Sequence, residues 1–372
     1  MAGVNALHSD IGWSVPSHDL WKWLDSNPAR HPETPLGWVI DNDGRIDGFI
    51  GSFRQQYYRG RTRLQAATSY WVIVSPRAKG SLKQLIVPFL EQKDVFAVSI
   101  LNANELGSPI YRKLGLQAFP EQTATVKLSW IEGPTLTLLA RMLRGAINRW
   151  PSLIPIIGER FTPQSANLLD PRHIKWPQKV HLITDLSDNS AYAQFWTNLR
   201  AQEHLVADRS PATLRWRTSQ PSFAARPLLL GYHEAGGISA YAMAIISKTG
   251  PVDVPTLEII DMVSLDKASP EAIPTLIRAL KKATVKMGAL KLRLHLVSPD
   301  LLEKLGPYAR RAYDEGGWGH AFAHFNAPRE QFADWQPTPY EGSYSYSLRQ
   351  PQLRPVKPRR QKGQQPLAMS EG

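Results

Sequence analysis

Trp71-Val72-Ile73-Val74-Ser75-Pro76-Arg77-Ala78-Lys79-Gly80-Ser81-Leu82 passes from an apolar strand, through a tight polar loop, into a helix whose apolar positions continue at Leu85, Ile86 and Phe89. A strand that breaks into a helix through such a loop leaves backbone N–H groups at the helix start without intrahelical acceptors, and the helix dipole favours negative charge at that end. The guest that suits this arrangement is a phosphate.

A second strand, Phe96 to Leu101, ends in Asn102. A short helix-like segment follows with Ser108-Pro109-Ile110-Tyr111-Arg112-Lys113-Leu114-Gly115-Leu116. The two stretches resemble the Gcn5-related N-acetyltransferase (GNAT) superfamily, whose signatures are V-x-P-x-x-R-G-x-G and N, then a spacer, then Y-x-K-L-G-F. Val74, Pro76, Lys79 and Gly80 follow the first with Lys in place of Arg, and Tyr111, Lys113, Leu114 and Gly115 follow the second. The resemblance implies acetyl-CoA or another acyl-CoA as co-substrate, with its pyrophosphate on the loop amides. Val74, Ser75, Arg77, Lys79, Gly80, Ser81, Leu82 and Asn104 are then the expected donor-binding residues, and Tyr111 the acid that meets the departing thiolate. Leu82 stands where the family usually has its last Gly, and a Cβ there narrows the phosphate approach.

The chain also repeats itself. Lys22-Trp23-Leu24-Asp25-Ser26-Asn27-Pro28 aligns without gaps on Arg215-Trp216-Arg217-Thr218-Ser219-Gln220-Pro221, and Leu36-Gly37-Trp38 on Leu230-Gly231-Tyr232. The turn Asp41-Asn42-Asp43-Gly44 likewise answers Glu234-Ala235-Gly236-Gly237. In the same register the strand Leu257 to Val263, the helix Pro270 to Met287 and the strand Leu290 to Val297 answer the first copy's elements, and Tyr313-Asp314-Glu315-Gly316-Gly317 keeps the spacing of the Tyr111 motif. The second copy's loop, Ser264 to Pro270, has no Gly and carries Asp266, with Glu271 following, so its helix start is expected to be filled by the protein's own carboxylates.

Repeat and resemblance together imply an α/β (α+β) protein of two tandem GNAT-like domains, each a mixed, mostly antiparallel sheet flanked by helices. The expected bounds are 1–132 for the donor-binding domain, 133–178 for a connector helix and Pro-rich linker, 179–350 for a second domain with a degenerate loop, and 351–372 for a basic tail. Trp21, Trp23, Asn27 and Pro28, with Arg215, Trp216 and Arg217, resemble the paired-domain acetyltransferases linked to bacterial envelope and polysaccharide pathways. The Trp-x-x-T-x-x-D-x-D segment of that group is followed only in part by Trp335 to Glu341.

Composition bounds the rest. A chain of 372 residues with 42% hydrophobic and 20% charged residues is globular and long enough for two cores. It has no cysteine, which excludes disulfides, zinc-thiolate sites and Cys nucleophiles. No apolar run reaches the about 20 residues of a membrane helix, and no signal pattern opens the chain, so a cytoplasmic location is expected. A net charge of +12 suits an anionic partner. Arg354, Lys357, Arg359, Arg360 and Lys362 place part of it in a tail too Pro- and Gln-rich to fold, which could meet tRNA or an acidic lipid surface.

Leu136, Leu139, Leu143 and Ile147 form the apolar face of a connector helix from Pro134 to Trp150, opposite Arg141, Arg144 and Arg149, before prolines at 151, 155, 163, 171 and 177 stiffen the chain. Acyl transfer to an amine needs a proton acceptor, for which Glu105, Asp47, His204 or water are candidates. His320 and His324 would share a face if helical, but the Gly-rich run before them favours strand or loop, and no metal is expected. The expected activity is therefore N-acyl transfer from acyl-CoA to an amine of a small molecule, sugar or peptide. The alternatives are a Fem-like transferase using aminoacyl-tRNA, and a non-catalytic scaffold of the same fold.

Overall fold

The computed structural model describes residues 1–105, 107–149, 171–248, 250, 253–315 and 318–351, with backbone only at 146–148 and 318–319. In the first half α1 (Ala2–Asp10) and α2 (His18–Asp25) precede β1 (Gly37–Asn42), β2 (Arg45–Arg59), β3 (Thr62–Val74), α3 (Leu82–Leu90), β4 (Ala97–Asn104), α4 (Ser108–Lys113), β5 (Gln117–Ala118) and β6 (Leu128–Ile131). The connector α5 (Pro134–Arg149) leads to β7 (Val180–Leu182), α6 (Ala191–Arg200), β8 (Val206–Ala207), α7 (Pro211–Thr218), β9 (Leu228–Glu234), β10 (Gly237–Ser247) and β11 (Thr256–Ser264). The chain then forms α8 (Ala272–Lys286), β12 (Lys291–Leu294), α9 (Pro299–Lys304), α10 (Pro307–Arg310), β13 (Tyr313–Asp314), β14 (Trp318–Phe325) and α11 (Tyr344–Ser347).

Local chemistry accounts for the hairpins and helix starts. Asn42 pairs with Arg45 across the two-residue turn Asp43-Gly44, whose φ values of 52° and 84° are those of the turn that matches strand twist. Ser17 caps α2 by accepting from the Leu20 amide, and α2 buries Leu20, Trp21, Trp23 and Leu24 on one face. In each half two antiparallel hairpin strands are followed by a parallel partner reached through a helix, β3 to β4 by α3 and β11 to β12 by α8.

The result is two mixed seven-stranded sheets flanked by helices. One runs β1-β2-β3-β4-β14-β5 with β8 on β2, the other β13-β6-β12-β11-β10-β9-β7. Each half gives its last strand to the other: β14 is inserted between β4 and β5, and β6 between β12 and β13. The bounds 1–132 and 179–350 thus describe the halves of the chain and not the two sheets. Ala321, Phe322 and Ala323 of β14 are buried in the first sheet and Trp130 of β6 in the second, so exchange replaces two exposed edges with buried apolar contact.

One core cluster spans both halves, with Tyr57, Phe96 and Phe119 packed among Tyr192, Phe195, Tyr241, Leu296 and Trp335. The Trp335 to Glu341 segment braces this junction: Arg209, buried, bonds Asp261 at 2.8 Å and Glu341 at 3.0 Å, and Thr338 Oγ1 donates to Asp261 at 2.7 Å. The connector helix packs through Ala140 and Leu143 against Val254 and Leu290, and Arg144 pairs with Asp253. Leu136, expected on that face, is 41% exposed.

Two expectations are corrected. Tyr313 does not answer Tyr111, because it lies on strand β13, the counterpart of β5, whereas Tyr111 is helical. The strand expected to end at Asn102 runs on to Asn104, held by its ladder with β14. Pro151, Pro155, Pro163, Gly316, Gly317 and the basic tail from 352, with its expected tRNA or lipid contact, lie outside the described residues. Among the described residues no helix is long and apolar enough to cross a membrane.

Candidate functional site

Strands β3 and β4 pair in parallel only at Ala66, Ala67 and Thr68 with Ala97, Val98 and Ser99. Beyond those rungs both continue, β3 to Val74 and β4 to Asn104, without a ladder between them. A bulge separates them: the β2–β3 register shifts between Phe49 and Gly51, and Trp71 takes a φ of 47° in the left-handed region. An extra residue bends the strand that carries it. The facing edges therefore present backbone N–H and C=O groups to whatever enters between them.

The loop quoted at the outset begins where β3 ends. Its turn Pro76–Ala78 leads to Gly80, whose φ of 96° only glycine adopts freely, and a Cβ there would meet no protein atom within 4 Å. Among the described residues the amides of Lys79, Gly80, Leu82 and Lys83 donate to no protein group, whereas Ser81 N reaches Ala78 O at 3.0 Å. α3 has no acidic residue in its first turn and no side-chain cap. Lys79 and Lys83 are exposed beside these amides. The Leu82 side chain packs inward with Leu85, Ile86 and Phe89, so it does not cover the loop.

Ser75 and Arg77 hold the loop from beneath. Buried Asp47 accepts from Asn42 at 2.8 Å, from Arg45 at 3.0 Å, and from the Ser75 hydroxyl and Arg77 Nε at 3.2 Å each, and Arg77 also pairs with Asp10 at 3.0 Å. Hydrogen bonds from Arg45 and then Asn42 outweigh the cost of burial and keep the Asp47 carboxyl well below the usual carboxylate range. A carboxylate so stabilised is a weak base. Asp47, considered above as a proton acceptor, is therefore a loop anchor.

The other wall is built by β4 and α4. Asn104 Oδ1 accepts from Gly107 N at 2.7 Å and closes the turn into α4. Gly107 lets the Tyr111 ring approach, since a Cβ there would lie 2.9 Å from Tyr111 Cε2. Tyr111 is buried against Phe322, ring centroids 6.0 Å apart, and burial pushes its hydroxyl up to about 12. That hydroxyl makes no hydrogen bond to the protein among the described residues. One turn earlier on α4, Ser108 Oγ lies 3.0 Å from His320 Nδ1 on the exchanged strand β14. His320 and Phe322, two apart on β14, thus both meet α4.

The remaining candidates fall elsewhere. Glu105 is exposed at the end of β4, and His204 pairs with Asp266 at 3.0 Å in the second copy's loop. In that loop Ser269 N donates to Glu234 at 3.3 Å, so a carboxylate of the protein does occupy it, but Glu234 supplies it and not Asp266 or Glu271. His324 Nδ1 lies 3.4 Å from Gly115 O, and no group of three potential metal ligands occurs among the described residues. In the sequence His320 stands only beside His324, in a metal pair that is not expected, and its meeting with Ser108 is what the structure adds. No local signal could have paired it with Ser108, 212 residues away.

No family model and no curated protein matches the sequence. Solved structures do. A GCN5-related N-acetyltransferase from Anabaena variabilis aligns over 87% of this chain and 69% of its own at 16% identity and a TM-score of 0.49. A probable N-acyltransferase of Enterococcus faecalis aligns over 86% and 68% at 12% identity and a TM-score of 0.46. The chain resembles N-acyltransferases in structure. Saccharomyces cerevisiae N-myristoyltransferase with bound myristoyl-CoA and inhibitors also matches, over 84% and 72% at 9% identity and a TM-score of 0.47. At such identities and scores these likenesses say nothing of substrate, so the chain's own residues must carry any assignment.

Proposed function

We propose that this protein is an acyl-CoA-dependent N-acyltransferase whose donor site lies in the first half, between the diverging ends of β3 and β4. The observation that carries the reading is the set of unpaired amides at Lys79, Gly80, Leu82 and Lys83, in a loop free of acids and flanked by exposed lysines. Four N–H groups at a helix start fit a pyrophosphate, and the strand edges fit an extended chain of amides. The bound acyl-CoA supplies the activated thioester. Everything else falls to side chains of this protein.

His320, held by Ser108, is placed to take the proton of the attacking amine, a task suited to an imidazole near neutral pH. Tyr111 would serve the departing sulfur. With the hydroxyl at about 12 and an ordinary thiol near 8.5, complete proton transfer would be uphill by roughly 3.5 units, about 5 kcal/mol. Tyr111 therefore acts by donating a hydrogen bond to the developing charge, and water delivers the proton. The second copy, with Glu234 in its loop, shapes the acceptor side and supplies β14. Leu82, the main argument for a non-catalytic scaffold, leaves the loop open because it packs inward.

Calorimetric titration with acetyl-CoA and longer acyl-CoAs tests the reading. Wild type is expected to bind, Gly80→Val to lose binding, and Ser269→Val to bind normally. Normal binding by Gly80→Val together with loss in Ser269→Val would move the donor to the second half.

A further inference from the structure

The exposed large apolar side chains Ile131, Leu136, Leu138, Met142 and Val285 gather where the end of β6, the connector helix α5 and the end of α8 meet. Glu132 joins these elements. Its amide and that of Gly133 donate to Leu290 O at 2.9 and 3.0 Å, and its carboxylate pairs with Lys281 of α8 at 3.0 Å. Because α5 packs through Ala140 and Leu143, its outward face carries Leu138 and Met142, one turn apart and 59% and 68% exposed. Arg141 and Arg149 are exposed on that same face at helical spacing. On α8 the exposed ridge is Arg278, Lys282, Val285 and Lys286. Clustered apolar exposure of this kind marks a contact surface.

The charges on these elements select what the surface meets. Neither α5 nor α8 contains an acidic residue. Among the described residues the carboxylates that contact them, Glu132 and Asp253, are already paired, with Lys281 and with Arg144. Arg141, Arg149, Arg278 and Lys286 form no ion pair among the described residues, so aliphatic side chains protrude amid uncompensated positive charge. A second copy seated on the same face would set these cations against one another. A nucleic acid would engage the cations, but its phosphates and stacked bases offer Leu138 and Met142 no apolar partner. A bilayer with anionic headgroups accepts both at once, basic side chains at the phosphates and aliphatic ones at the acyl boundary. We propose that the face built by α5 and the end of α8 docks this protein on an anionic membrane surface. This contact does not depend on the acyl transfer proposed above.

The test floats the full chain with unilamellar vesicles of phosphatidylcholine alone or mixed in equal parts with phosphatidylglycerol. Wild type is expected to float with the anionic vesicles and to stay behind with the neutral ones. Leu138→Gln with Met142→Gln, and separately Arg141→Gln with Arg149→Gln, should each weaken partition about tenfold or more. No partition onto anionic vesicles, or undiminished partition of either double variant, overturns the docking face. Equal partition onto neutral vesicles overturns the anionic assignment. A sedimentation mass that doubles in wild type and not in Leu138→Gln with Met142→Gln gives the face to a second copy, and RNA binding without vesicle binding gives it to nucleic acid; either overturns the proposal. The chain has no cysteine, so Met142→Cys carries a single environment-sensitive fluorophore. Its emission should shift to the blue on anionic vesicles, while the same label at exposed Val39 on β1 should not shift. No shift at 142, or an equal shift at 39, overturns the contact even where a double variant fails to fold.

Discussion

Trp23 and Trp216, 193 residues apart, stack with ring centroids 4.3 Å apart and planes 2° from parallel. They are the aligned residues of the internal repeat, on α2 and α7. Trp23 Nε1–H donates to Trp216 O at 2.9 Å and Trp216 Nε1–H to Ser26 Oγ at 3.1 Å. Equivalent residues of two copies touch one another only near an axis that relates the copies, and the mutual exchange of β6 and β14 obeys the same symmetry.

Trp23→Ala should destabilise the protein by about 3–5 kcal/mol, because a buried indole leaves a large cavity. In a double-mutant cycle with Trp216→Ala, denaturant unfolding should give a coupling of about 0.5–1.5 kcal/mol. Strict additivity would mean that the stack does not join the halves.

Asp47→Asn should loosen the loop and weaken acyl-CoA binding by roughly tenfold, as one ligand of Ser75 and Arg77 loses its charge. The folded carboxyl lies below its unfolded value, so its contribution is present above a pH of about 4 and is lost as pH falls through the folded value. Acid titration of stability should therefore be flatter below a pH of about 4 in Asp47→Asn than in wild type. Identical slopes would deny the anchor its role.

Tyr111→Phe keeps the ring against Phe322 and removes a hydroxyl that bonds no protein group. Turnover should fall roughly tenfold to a thousandfold, with donor affinity and stability nearly unchanged. Unaltered turnover would show that the sulfur needs no protein donor.

His320→Gln can still hydrogen-bond Ser108 but cannot carry a proton. It should lower kcat by about 10²–10⁴ and leave the KM for acyl-CoA in place. An unchanged kcat would hand the proton to solvent or to Glu105.

What the chain's order of residues determined was local. The strand, left-handed Gly80 and helix between Trp71 and Leu90 follow from short-range backbone preference and a 3.6-residue apolar period, and the repeat could be seen because matched residues keep their spacing. The tertiary structure alone decided that β6 and β14 change places, that Asp47 is spent on Ser75 and Arg77, and that His320 meets Ser108. Those pairings join residues tens to hundreds of positions apart. They are set by which edges and charges must be buried together, and burial of that kind leaves no period in the sequence.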